Sequence, residues 1–412
     1  MYSLNAAPHR YVDGILREHI ARASELLADL RAGFLEFPDA EILSNTCQQC
    51  LANLDALRIA GGRAIAIGHE AMEDDSDVAS VVAWLVAEVG DSDERDHAAC
   101  VAGMLRHESL DIRQAAWWGL RLADVTRVRE LLRETANGPA RDVASAAALD
   151  ILAFHREDVQ LDLSGRLHDE NDEIAWLLAE AAGRIPRAWR AADLKRALVR
   201  SSRRVKEAAL RASARCGLRE LVANCRDATD HATSVEAIEF LGVVGSYADL
   251  ERLQRVATAS QSATTPLPMA NAGVVALGRL GFVGAMPTLL YLLEEPELGE
   301  TAASAIARIV GDDVPRGAPP APPPGMSDDD LDEFEPVAPI DAPRARDWWA
   351  ARAVGFDRKK RYQAGMCVSD DPLGPVFDQL PPAVRNDLYL RQRALVPETP
   401  DWELETWLGV SR

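Results

Sequence analysis

The chain has 412 residues, of which 48% are hydrophobic and 6% aromatic, so it can bury a large core rich in small aliphatic side chains. Its formal net charge of −20 has the opposite sign to that of a general nucleic-acid or anionic-membrane binder. No apolar run reaches the roughly 18 residues of a membrane span, and the first residues lack a signal-peptide layout, so we expect a cytoplasmic protein.

Residues 1–74 are predicted to form an N-terminal helical cap, with helices over 24–34 and 40–62 and a turn at Phe37-Pro38 between them. Cys47 and Cys50 are the only pair among the six cysteines with C-x-x-C spacing. No second pair or suitably spaced histidine completes a zinc site. We therefore expect ordinary packing on one helix face, with redox or metal chemistry as the alternative.

One helical phrase recurs eight times between residues 75 and 311. Each copy has an acidic or polar residue, a β-branched or small residue and an Ala-rich run, and often ends near glycine. The equivalent positions, spaced 30 to 36 residues apart, are Val78, Ile112, Val143, Ile174, Val205, Val235, Asn271 and Thr301. Weaker amphipathic segments such as 125–136 and 191–202 lie between them, so each unit is predicted to be two antiparallel helices.

This pattern resembles short HEAT repeats, and it predicts an all-α fold. Because a helical hairpin cannot bury both of its apolar stripes alone, we expect a right-handed α-solenoid with one concave and one convex face. The leading aspartates suit helix N-caps. The trailing glycines suit left-handed helix ends, at Gly183, Gly217, Gly245, Gly281 and Gly311.

Residues 312–346 break the pattern with prolines and a run of Asp and Glu, which predicts an extended or disordered linker. Residues 347–412 return to a helix-like, Trp-rich sequence and are predicted to form a small C-terminal helical module. It could dock on the last repeats or on a partner.

NLDALRIAG (53–61), the repeats and a tail with RDWWAARAVGF and RYQAG (346–365) together resemble a proteobacterial family of HEAT-repeat proteins of unknown function. Asn53 stands where His is usual in that family, and Ala56 where Gly is usual. Members are often encoded near type VI secretion components, so the resemblance implies an adaptor or effector-handling role. It supplies no catalytic residues. The candidate residues of the C-terminal module are Trp348, Trp349, Arg361 and Tyr362 of its tail motif, for docking on the last repeats or on a partner.

A basic island runs from Lys195 to Arg219, with nine Lys or Arg residues and one acid, Glu207. It reads either as a solvated helix face or as an anion-binding patch. The anion would be a partner's acidic segment or the chain's own linker 312–346. The candidate contacts are Arg200, Arg203, Arg204, Lys206, Arg211 and Arg215.

Trp117 and Trp118 are adjacent, so one helical stripe cannot hold both rings. Either both pack in a wide core, or one faces a partner beside Arg113.

No metalloprotease, phosphate-loop or nucleophile-elbow motif is present, and no cofactor or metal is implied. We therefore expect a non-enzymatic interaction scaffold that binds another protein, for example a secretion component or effector. The alternative is an enzyme on a HEAT-like scaffold, resembling DNA glycosylases or bilin lyases of that type. The net charge of −20 makes a nucleic-acid substrate unfavourable.

Overall fold

The structure of the chain is a computed structural model that describes residues 6–33, 40–89, 94–138, 140–157, 167, 171–185, 191–259, 266–321, 337–369 and 372–399. Helices hold most of these residues, as the sequence predicts. No helix in the described part has the length and apolar character that crossing a bilayer requires. The chain forms two compact units, of which the first is Met1–Leu218, Pro381–Asn386 and Pro397–Arg412, and the second is Arg219–Leu380 and Asp387–Val396.

Three helices open the first unit: α1 (Ala6–Gly33), α2 (Ala40–Ala60) and α3 (Gly62–Ala71). α1 begins well before the predicted residue 24, because Leu16 and Ile20 continue its buried stripe toward the N-terminus. Cys47 and Cys50 are fully buried in α2, which confirms the packing prediction. The predicted turn at residues 37–38 lies outside the described residues.

All eight recurring phrases form helices, and a weaker helix precedes each of them except α9, before which most residues lie outside the described part of the chain. The phrase helices and weaker helices of the first unit are, in chain order, α4 (Val78–Glu88), α5 (Glu94–Leu105), α6 (Leu110–Leu122), α7 (Arg129–Asn137), α8 (Val143–Phe154), α9 (Asp172–Arg184), α10 (Ala191–Ala197) and α11 (Arg203–Arg215). In the second unit they are α12 (Leu221–Asp230), α13 (Val235–Val244), α14 (Leu250–Thr258), α15 (Leu267–Leu280), α16 (Met286–Leu292) and α17 (Gly299–Val310).

The phrase helices pack side by side within each unit: α4, α6, α8, α9 and α11 in the first, and α13, α15 and α17 in the second. Each weaker helix packs on the phrase helix that follows it. Glycine residues allow neighbouring phrase helices to approach each other closely. A Cβ atom on Gly119 of α6 would lie 2.1 Å from the carbonyl oxygen of Ser80 in α4, and one on Gly242 of α13 would lie 2.5 Å from that of Ala276 in α15.

The predicted aspartate caps are confirmed at one phrase and displaced at others. Asp142 caps α8, because its carboxylate accepts the backbone N–H of Ser145 at 2.8 Å. Ser109 caps α6 and Asn171 caps α9, so each helix begins slightly earlier than the leading aspartate predicts. Ser and Asn are as good as Asp in this position, since each side chain accepts from the first orphan N–H groups.

The predicted glycine stops are also confirmed in part. Gly217, Gly281 and Gly311 have left-handed φ values of 63°, 75° and 86°. Gly245 ends α13 with an extended backbone instead. Gly183 lies inside α9, where the missing side chain lets α11 approach closely.

The end of the second unit contains α18 (Ala342–Arg352), strands β1 (Tyr362–Gln363) and β2 (Met366–Cys367), and part of α19 (Pro382–Leu395). α18 begins inside the predicted linker, because the Asp341 carboxylate caps it by accepting the N–H of Arg344 at 3.0 Å. The acidic run expected to dock on the basic island falls within 322–336, outside the described residues.

The antiparallel pair β1–β2 departs from the predicted helical module. Its turn is formed by Ala364 and Gly365, whose φ values are 48° and 76°. Two successive residues with positive φ are what a tight two-residue hairpin requires.

Candidate functional site

Trp117 and Trp118 are both buried, at 7% and 4% exposure, which is the core-packing alternative. α6 can bury both rings because α4, α5 and α8 cover it from several sides. Arg113, expected beside a partner-facing ring, donates to the Glu173 carboxylate through Nη2 at 2.7 Å and Nε at 3.2 Å. Trp117 and Trp118 therefore pack inside the first unit, and Arg113 forms an ion pair within the same unit.

Asp150 of α8 is fully buried and contacts Trp117. Trp117 Nε1 donates to Asp150 Oδ2 at 2.9 Å, and Arg184 Nη1 donates to Oδ1 at 3.0 Å. The Arg121 guanidinium lies 4.2 Å from the ring centre of Phe154, with its Nε 3.9 Å from Asp150 Oδ2. Burial raises the pKa of Asp150, and the two arginines and the indole N–H oppose that rise. Because solvent does not reach Asp150, this buried cluster is a structural element that a substrate cannot enter.

Acidic residues of α9 neutralise much of the basic island. Arg200 pairs with Asp172 at 2.7 Å, and Arg211 pairs with Glu180. Burial alone would raise the pKa of Glu180, but Arg211 and Arg184 lower it to about 2, so the carboxylate is charged at neutral pH. The island thus has anions of its own, contributed by the neighbouring phrase helix.

The other island candidates divide between surface and core. Arg203 is exposed and pairs with an acid of its own helix at 2.7 Å. The Arg204 guanidinium lies 3.3 Å from the ring centre of Trp176. Lys206 is half-buried and Arg215 is buried. The structure therefore does not place the island's candidates on one open surface.

Arg361 of the tail motif is 4% exposed and lies on the C-terminal end of α13. Its Nη2 donates to the carbonyl of Gly245 at 3.0 Å, and its Nη1 to that of Val243 at 3.4 Å. The last carbonyls of a helix lack intrahelical partners and carry partial negative charge, which suits a guanidinium. Burial lowers the pKa of Arg361 well below its ordinary value, and Arg391 acts in the same direction.

The rest of the hairpin binds the ends of α15 and α17 in the same way. The Tyr362 N–H donates to the Gly281 carbonyl at 2.8 Å, and the Ala364 N–H donates to the Arg308 carbonyl at 2.7 Å. The Gln363 side chain also donates to two carbonyls in the last turn of α15. Tyr362 is 8% exposed. The hairpin is thus a cap on the last three phrase helices, and Arg361 and Tyr362 dock on the last repeats, one of the two alternatives that the sequence leaves open.

The aromatic residues of the tail motif form a row that reaches the surface. Ring centres of Tyr362 and Phe356 are 4.8 Å apart, and those of Phe356 and Trp349 are 5.4 Å apart. Trp348 stands apart from this row, where its ring lies 4.7 Å from the Arg352 guanidinium. Of the two adjacent tryptophans, it is Trp349 whose ring belongs to the row that connects buried Tyr362 with the surface.

Trp349 and Phe356 line an open groove of the second unit with a volume of about 620 Å³. We call it the aromatic groove. It is formed by the α14 side (Tyr247, Ala248, Leu250, Glu251, Gln254), the turn before α16 (Val283, Gly284, Pro287) and the tail (Trp349, Ala353, Phe356, Arg358). Its volume is within the range of binding sites for small molecules and short peptide segments.

Two groups of contacts fix the groove before any ligand arrives. Gln254 Nε2 donates to the Gly284 carbonyl at 3.2 Å and to Thr288 Oγ1 at 3.0 Å, which ties α14 to the neighbouring turn. The ring of Tyr247 packs edge-on against buried Phe282, with ring centres 5.2 Å apart. The walls are therefore ordered and need little rearrangement on binding.

Comparisons with known proteins do not assign this surface. No family model matches the sequence, and no curated protein matches it. Among solved structures, the chain is similar to human deoxyhypusine hydroxylase in complex with glycerol, with 17% identity over 71% of this chain and 96% of that chain. The TM-score is 0.23, which is too low to support a statement about fold or function.

Exposed apolar side chains occur in the segments that line the groove. Tyr247 is 46% exposed, and Val354, in the turn between Trp349 and Phe356, is 94% exposed. Trp349 is one of the candidates from the tail motif, whereas Tyr247, Phe356 and Arg358 are not among the residues predicted from the sequence. For Tyr247 the sequence offers one signal, an aromatic residue in the short turn between Gly245 and α14.

Cys100 and His69 form a pair in the first unit that sequence reasoning did not predict. Cys100 Sγ and His69 Nε2 are 3.1 Å apart. Burial raises the pKa of Cys100 to about 11 and lowers that of His69, so both are neutral at pH 7. A neutral thiol is a poor nucleophile, and burial of this pair favours its neutral form. No group of three or more metal-ligating side chains occurs among the described residues.

Proposed function

We propose that this chain is a non-enzymatic interaction protein and that the aromatic groove binds a segment of a partner protein. The groove carries this proposal, because it combines three aromatic rings with preformed walls and an open face. Large, rigid aromatic side chains dominate the binding energy of protein interfaces, since they bury much area at small entropic cost.

We also propose that the repeated hairpins continue as a right-handed HEAT-like α-solenoid. The regular spacing of the eight phrases and their side-by-side packing within each unit support this arrangement. A repeat array offers extended surface for partners. The resemblance of residues 346–365 to the secretion-associated family makes a secretion component or effector our candidate partner.

The groove is tested by selecting binders from a random peptide library displayed on phage. We expect the selected peptides to lose at least about 10-fold in affinity for Tyr247→Ala, because the variant removes one aromatic wall. Tyr291→Ala is the matched control, since Tyr291 is 47% exposed, close to the 46% of Tyr247, and does not line the groove.

Affinity is measured by fluorescence anisotropy with synthetic copies of the selected peptides. Peptides that bind Tyr247→Ala as tightly as the wild-type chain, or that lose affinity equally for both variants, would show that the groove is not the binding surface.

A further inference from the structure

We infer that the segment bound in the aromatic groove carries an apolar anchor flanked by carboxylates, so that the partner presents a short acidic peptide. This inference rests on the proposed function and specifies its ligand. It is carried by the cationic side chains at the tail end of the groove.

Arg358 lines the groove, and Lys359 follows it on the same exposed turn. Among the described residues, neither side chain has an ion-pair partner. Nearby arginines of the same unit are paired: Arg352 with Asp312 at 3.5 Å and Arg346 with Glu294 at 2.8 Å. In a chain with net charge −20, two adjacent cations that internal acids leave available suit an external carboxylate.

The turn that carries these cations is held in place. The Asp357 N–H donates to Tyr362 Oη at 3.0 Å, and the Lys359 N–H donates to Asp357 Oδ1 at 2.8 Å. Tyr362 belongs to the buried cap, so the turn is anchored directly to the core of the second unit. Positive charge is therefore presented at a defined position next to the rings of Phe356 and Trp349.

An extended polyanion fits this surface less well than a short peptide does. Glu251 lines the α14 side of the groove, where a continuous phosphate backbone would meet a like charge. The overall charge of −20 opposes approach of a long polyanion, because its charges lie near many acids at once. A peptide can place its few carboxylates within the roughly 8 Å screening length of Arg358 and Lys359 and its anchor among the rings.

Four fluorescein-labelled peptides of equal length test this inference. Three share a Trp-Leu anchor with flanks of Asp/Glu, Ser/Gln or Lys/Arg, and the fourth has the acidic flanks with alanine in place of the anchor. We expect the acidic anchored peptide to bind about 5-fold to 10-fold tighter than the neutral one, from two exposed ion pairs. Anisotropy titrations at low and high salt should show this advantage shrinking as salt rises.

Charge-reversed variants test whether Arg358 and Lys359 cause the preference for acidic flanks. Arg358→Glu and Lys359→Glu should each abolish the preference for acidic flanks, whereas Arg344→Glu should retain it. Arg344 is an exposed arginine of the same unit that does not line the groove.

The outcomes separate the two proposals. Equal affinity for neutral and acidic anchored peptides, with binding still lost in Tyr247→Ala, would overturn the acidic ligand and leave the groove in place. If no anchored peptide binds, the proposed function itself fails. Tighter binding of a short single-stranded oligonucleotide, or of vesicles containing phosphatidylserine, through Arg358 and Lys359 would overturn the choice of a peptide.

Discussion

Replacing Asp150 by alanine is expected to lower the free energy of unfolding by about 3 kcal/mol, because the buried Arg121 and Arg184 lose the carboxylate they share while Arg184 keeps its contact with Glu180. Arg184 and Trp117 both donate to Asp150, which is fully buried. Urea unfolding followed by circular dichroism measures the change. Asp55→Ala is the control: Asp55 is an exposed helical residue paired with Arg58, and its replacement should alter stability by less than about 0.5 kcal/mol.

A double variant separates loss of charge pairing from loss of packing. Asp150→Leu combined with Arg184→Met removes a carboxylate and a buried cation together. It should be more stable than Asp150→Leu alone, since apolar replacement of a whole buried pair is often tolerated. A double variant no more stable than the single one would show that the electrostatic account of this cluster is wrong.

Replacing Arg361 by alanine is expected to cost about 3 kcal/mol, from two charge-assisted hydrogen bonds and the loss of a buried side chain. The carbonyls of Val243 and Gly245 would lose their Arg361 donors and keep Arg391 Nη1, and the buried space of the Arg361 side chain would be left unfilled. Thermal unfolding measures the loss, and hydrogen exchange should show faster exchange at the Tyr362 and Ala364 amides, which bond to α15 and α17.

Arg358→Ala is the matched control, because Arg358 lies three residues earlier in the same segment and is exposed. It should unfold within about 0.5 kcal/mol of the wild-type chain. If Arg361→Ala also unfolds like the wild-type chain and its hairpin amides stay protected, the Arg361 contacts do not stabilise the ends of these helices.

The repeating helices could be predicted from the sequence because their apolar residues recur at helical spacing within each phrase. Helix ends were less predictable, since Ser109 and Asn171 compete with nearby aspartates for the same capping role. Asp150 can be recognised in the sequence by its setting. It is a lone charged residue in an Ala-rich run, at the phrase position where Gly119 and Gly242 permit close packing.

The cap and the aromatic groove could not be predicted, because their parts are far apart in the chain. Arg361 meets carbonyls more than a hundred residues earlier, and its motif carried no indication of that contact. Tyr247 and Phe356 reach one groove only through the packing of α14 and the tail. Which residues of the tail motif face the core and which line the groove therefore depends on tertiary structure.

The adjacent tryptophans allow the most direct test of the aromatic groove as a binding surface. The acidic anchored peptide is titrated against Trp349→Ala, which removes a ring that lines the groove, and against Trp348→Ala, which removes the neighbouring ring that does not. We expect Trp349→Ala to weaken binding about 30-fold and Trp348→Ala by less than about 2-fold, at similar unfolding temperatures. Equal effects of the two variants, or unchanged affinity in Trp349→Ala, would contradict the account.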